Sequence, residues 1–81
     1  MVILLNLYST ANCHLCEQAE SSLLRIQPNH DFNFKKIEIT EDIECYEKYE
    51  LKIPVLKRMD TGVEIIWPFD ERDIQLLLSQ V

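Results

Sequence analysis

Eighty-one residues suit one small domain, and 47% hydrophobic with 27% charged side chains is the make-up of a globular chain, neither disordered nor fibrous. A net charge of −6, with eight scattered basic residues, argues against a nucleic-acid partner, whose phosphates call for clustered Lys and Arg. The apolar stretch at 2–8 is too short for a membrane span and lacks the basic start of a signal peptide, so a cytoplasmic protein with no membrane partner is expected.

Val2-Ile3-Leu4-Leu5-Asn6-Leu7-Tyr8 predicts a buried first strand, bounded by the polar turn Ser9-Thr10-Ala11-Asn12. A helix is predicted over 13–26, with Cys16, Ala19, Leu23 and Ile26 on its inner face and Pro28 beyond its end. Phe32, Phe34, Ile37 and Ile39 predict a second strand. Its period-two phase slips between Phe34 and Ile37, which predicts a bulge or a late start. Thr40, followed by Glu41 and Asp42, predicts the N-cap of a short helix reaching about Glu50 and burying Ile43 and Tyr46, with Tyr49 a further inward candidate.

Two strands, 55–59 and 63–67, are then joined by Asp60-Thr61-Gly62, where the single glycine of the chain stands at the left-handed position of a three-residue turn. Pro68 ends the second of them. Asp70 caps a last helix, with Asp73 at capping-box spacing and Ile74, Leu77 and Leu78 inward. The order β-α-β-α-β-β-α predicts an α/β domain over 1–81: a four-stranded mixed sheet, its first pair parallel, with helices on both faces.

Chemistry concentrates at Cys13-His14-Leu15-Cys16, where the first strand gives way to the first helix. Free N–H groups and the macrodipole at a helix start favour a thiolate over a thiol. That makes Cys13 the candidate nucleophile and Cys16, one turn on, its resolving partner. Bringing a thiol from its ordinary pKa of about 8.5 to about 7 takes roughly 2 kcal/mol, within reach of a helix end and a nearby cation. His14 is the candidate cation, and Glu17 acts in the opposite sense. Three cysteines, two of them closing a loop of only four residues, argue against a disulfide scaffold and leave Cys45 as a spare thiol. A structural zinc site lacks a second C-x-x-C, and no metal is expected.

The strand ending Leu7-Tyr8-Ser9, the dithiol, Ile53-Pro54-Val55 before the hairpin, and the capped last helix together resemble the glutaredoxin family of the thioredoxin fold. The Trp67-Pro68-Phe69-Asp70 segment resembles a small glutaredoxin-like group. This resemblance implies a thiol–disulfide oxidoreductase without metal or organic cofactor, acting on protein or small-molecule disulfides and recharged by glutathione or a reductase protein. It also implies a cis Pro54 beside the sulfurs, with Ile53 and Val55 backbone groups pairing with an extended substrate. Tyr8, His14, Trp67, Phe69 and Asp70 complete the candidate substrate-binding set. Glutaredoxins usually carry a Lys before the first cysteine and a Gly-Gly-x-Asp segment before the last helix. This chain has Ser9-Thr10-Ala11-Asn12 and Trp67-Pro68-Phe69-Asp70 there. Two alternatives stay open: a non-catalytic binding module or redox sensor using Trp67-Pro68-Phe69, and a metal- or cluster-carrying scaffold. A monomer is expected.

Overall fold

In the computed structural model, which describes residues 2–80, β1 (Ile3–Ser9) leads into α1 (His14–Ile26), and β2 (Phe32–Glu38) returns parallel to β1. Then follow α2 (Ile43–Tyr49), the antiparallel strands β3 (Val55–Arg58) and β4 (Glu64–Ile66), and α3 (Glu71–Ser79). The sheet order is β2-β1-β3-β4, which puts β1 and β3 in the centre and leaves β2 and the three-residue β4 as edges. This is the mixed four-stranded α/β architecture that the element order predicts.

Alternation along the strands feeds two separate clusters. Leu5, Leu7, Phe32 and Leu56 face Ala19, Leu23 and Ile26 of α1 and Ile74 and Leu77 of α3. On the opposite face Tyr8 and Val55 meet Ile39 and Tyr49, with Ile37, Cys45 and Ile53 packed around them. Two helices therefore cover one face and α2 covers part of the other.

The expected bulge in β2 is absent: its register with β1 runs without interruption from Ile3–Phe32 to Ser9–Glu38. Phe32 and Phe34 face the larger cluster and Ile37 faces the smaller one. The apparent slip of phase is a change in which face is covered.

α2 also differs from expectation. Ile39–Glu41 forms a 3-10 turn, so Thr40 is not a cap. The N-cap is Asp42, whose Oδ1 accepts the N–H groups of Glu44 and Cys45 at 2.9 and 3.4 Å. That start turns Cys45 and Tyr49 inward and leaves Ile43 and Tyr46 exposed. The hairpin turn holds Gly62 at φ 78°, and Asp70 and Asp73 form the expected reciprocal capping box.

Candidate functional site

The dithiol lies where the parallel strands β1 and β2 end, the usual mouth of an open α/β sheet. β1 stops at Ser9, a short turn follows, and Asn12 adopts φ 60°, a left-handed conformation that asparagine tolerates better than most residues. Cys13 is then the N-cap of α1, extended at φ −100° and ψ 103°, so the helix begins at His14 and its first N–H groups have no carbonyl partner within the helix. Cys13 Sγ takes the place of a capping oxygen and accepts the Cys16 N–H at 3.2 Å.

The two sulfurs are joined in a disulfide, with Cα atoms 5.2 Å apart. Cys13 is half-buried, whereas Cys16 is 5% exposed against the core. An incoming group therefore reaches Cys13 first. His14 is exposed, with Nδ1 3.6 Å from a carboxylate oxygen of Glu17, itself exposed. A pair so open to water contributes little energy.

One step beyond the Tyr8–Val55–Ile66 row of the sheet, Pro54 is fully buried and its carbonyl accepts the Trp67 N–H at 3.1 Å. The Ile53–Pro54 peptide is cis, as the resemblance implies, and so is Trp67–Pro68, which the sequence did not suggest. Much of the backbone of this segment is already engaged. The Ile53 N–H donates to the Tyr49 carbonyl at 3.1 Å, and Val55 lies in the ladder between β1 and β4. Pairing of an extended substrate with the Ile53 N–H therefore has no free donor here.

Tyr8 is buried and stacks on Tyr49 with ring centroids 4.3 Å apart. Trp67 is half-buried and meets Phe69 edge-on at 5.2 Å, while Phe69 belongs to the larger core cluster. Asp70 is exposed but engaged as a cap, and the Asp73 N–H it accepts holds its carboxyl below the ordinary value. Trp67, Phe69 and Asp70, but not Tyr8, share a surface feature. A groove of about 460 Å3 runs beside α1 from His14 and Gln18 to Arg25, with Trp67, Phe69 and Asp70 on its far side.

A smaller hollow of about 150 Å3 opens on the other flank of the disulfide, between Asn12, Cys13 and Lys36. A mainly apolar hollow of about 370 Å3 among Leu4, Phe34 and Met59 carries no thiol. Among the described residues no three His, Cys, Asp or Glu side chains converge as a metal site, and no helix is long and apolar enough to cross a membrane.

Two residues of this neighbourhood were not singled out from the sequence. Asn12 had a signal, since a non-glycine residue that favours the left-handed region directly precedes the helix. Glu38 had none. Its Oε1 accepts the Ala11 N–H at 3.0 Å, and its Oε2 accepts the N–H and hydroxyl of Thr40 at 3.2 and 2.8 Å. The Thr10 hydroxyl and then Thr40 hold this carboxyl below its usual value.

The glutaredoxin-like domain family (DUF836) matches residues 4–79. Among solved structures, the chain is similar to the X. campestris protein XcR50 in its X-ray structure, with 35% identity, 91% of this chain and 93% of that one covered, and a TM-score of 0.76. It is also similar to protein Ne2328 from Nitrosomonas europaea, solved by NMR, with 28% identity, 98% and 94% covered, and a TM-score of 0.84. No curated protein matches. With all but a few terminal residues matched and a Cys13–Cys16 pair at the head of its first helix, the chain belongs to the glutaredoxin-like domain family.

Proposed function

We propose that this protein is a thiol–disulfide oxidoreductase. The observation that carries the proposal is the asymmetry of the pair: the more accessible sulfur, Cys13, caps α1 and accepts a backbone N–H, while Cys16 lies behind it, buried.

In the reduced protein the Cys13 thiolate attacks one sulfur of a substrate disulfide. A Cys13–substrate bond forms, the substrate S–S bond breaks, and the departing thiolate takes up a proton from water. Cys16, deprotonated in its turn, attacks Cys13 Sγ and releases the second substrate thiol. Two electrons have passed to the substrate and the chain holds the Cys13–Cys16 disulfide. An external thiol, glutathione or the dithiol of a reductase protein, returns it to the dithiol by the reverse exchange. Free N–H groups at the start of α1 favour negative charge on Cys13 at each stage where it leaves or attacks. The groove between α1 and Trp67, Phe69 and Asp70 starts at His14, the residue after Cys13, and offers an apolar and hydrogen-bonding wall for the substrate chain.

The pH dependence of alkylation tests this directly. Cys13 in the reduced chain is expected to react with iodoacetamide with a midpoint about one unit or more below the free-thiol value of about 8.5, and faster than Cys45 at neutral pH. A midpoint near 8.5, with Cys13 no faster than Cys45, defeats the proposal. Cys13→Ser is expected to abolish disulfide reduction, and Cys16→Ser to accumulate mixed disulfides visible on a non-reducing gel.

A further inference from the structure

The turn that delivers Cys13 is held from a distance. Ser9 and Glu38 are register partners at the ends of β1 and β2. From there the Glu38 side chain reaches forward to the Ala11 N–H, two residues before the sulfur and 27 residues away in sequence. Its other oxygen is fixed by the N–H and hydroxyl of Thr40, in the 3-10 turn that leads to α2. The carboxylate thus has one oxygen for the turn before Cys13 and one for the anchor, and charge-assisted bonds of this kind are the stronger ones.

What is held matters for the dithiol. Between Ala11 and Cys13 only Asn12 intervenes, and it is in the left-handed region, a conformation that few L-residues other than asparagine adopt. Cys13 in turn must stay extended for Sγ to meet the Cys16 N–H. With Ala11 pinned on one side and α1 rigid on the other, the Cys13 backbone has few alternatives.

We infer that Glu38 is a positioning residue for the dithiol, holding the Ala11 N–H so that Cys13 stays at the head of α1 and within reach of Cys16. The inference rests on the oxidoreductase function proposed above. Glu38 touches neither sulfur nor substrate. Its effect is on the freedom that the Cys13 segment gains when the disulfide opens: a pinned segment gains less, so the disulfide is favoured.

The test is the equilibrium between the full chain and dithiothreitol, read by acid quenching, alkylation and mass. Glu38→Ala is expected to shift the Cys13–Cys16 equilibrium about fivefold toward the dithiol, the worth of one ordinary hydrogen bond. Loss of charge near a thiolate would push the same way, so a second variant separates the two causes. Glu38→Gln removes the charge and keeps an acceptor for Ala11, and is expected to shift the equilibrium less than half as far on a logarithmic scale.

An equilibrium unmoved within about twofold in a Glu38→Ala chain that still unfolds cooperatively in urea overturns the inference. So does a Glu38→Gln shift as large as that of alanine. If Glu38→Ala does not fold, Thr40→Val, which loosens only the anchor, is expected to move the equilibrium about twofold the same way, and no movement overturns the inference. A wild-type Cys13 no more reactive than Cys45 defeats the proposed function instead, whatever Glu38 does.

Discussion

The guanidinium of Arg58 lies between β3 and the last turn of α3, where Nη1 donates to the carbonyls of Leu77, Leu78 and Gln80 at 3.0, 3.1 and 2.6 Å. Leu77 and Leu78 are among the residues whose carbonyls a helix end leaves without partners, Gln80 follows as the extended cap, and a cation is the right charge for that end of the dipole. Asp60 grips the other edge of the group at 2.7 and 3.1 Å, which raises the Arg58 pKa and lowers its own. Arg58→Met keeps the apolar stem and removes all five bonds. It is expected to fray the last turn of α3 and lower Tm by several degrees, measured by calorimetry with amide exchange at residues 77–80. Nothing local announces the grip of Arg58 on α3 or of Glu38 on Ala11, because each reaches backbone 19 or more residues away. Cys13 with Cys16 and Asp70 with Asp73 were legible because each pair works within one helical turn, at a spacing the sequence displays.

α2 shows why a short helix is harder to read than a long one. Ile43 and Tyr46 offered one apolar stripe and Cys45 with Tyr49 another, and seven residues are too few for periodicity to choose between them. The choice is made by Asp42 and by what Tyr49 meets. Its ring stacks on Tyr8 and its hydroxyl donates to the Glu64 carboxylate on β4. Burial first, then Glu64, push the Tyr49 phenol above its ordinary value. A phenol that holds its proton more tightly when folded stabilises the chain fully below the unfolded pKa of about 10, and that stabilisation is lost as pH climbs beyond it. Urea midpoints of the wild type should therefore fall above about pH 10. Tyr49→Phe should lower stability by about 1 kcal/mol at neutral pH and flatten that alkaline fall. An equally steep fall in the variant would assign it to other groups. For α1 and α3, longer helices with several inward residues each, the sequence pattern sufficed.

At the scale of the molecule, two half-cores on opposite faces of one sheet explain both the success and the failure of pattern reading. Element order alone implied the parallel β1–β2 pair and the antiparallel hairpin, since a strand–helix–strand unit has essentially one hand and a tight turn one pairing. It could not say that β2 serves both clusters in succession. Stability is expected to fall off on the acid side as well. Glu38, Asp60 and Asp70 are all held below their ordinary values, by the Thr10 hydroxyl, by Arg58 and by the Asp73 N–H in turn. Their contribution is complete above the unfolded carboxylate range of about 4 and is lost as pH drops through the lower folded values. A plot of urea midpoint against pH should show a plateau between about 5 and about 10, and an acid shoulder unchanged in Asp60→Asn would mean that Asp60 does not contribute to it.

The outer position of β2 carries one more consequence. A seven-residue strand with an unpaired side is a template on which a second strand can add, and such growth ends in fibrils. Here that strand presents Lys35 and Lys36 one after the other, and like ammonium groups brought side by side in a stack repel each other. Replacing both with threonine keeps strand-forming residues in β2, gives up only the exposed Lys36–Glu20 ion pair and strips away this guard, so thioflavin-positive aggregates should form sooner on gentle heating.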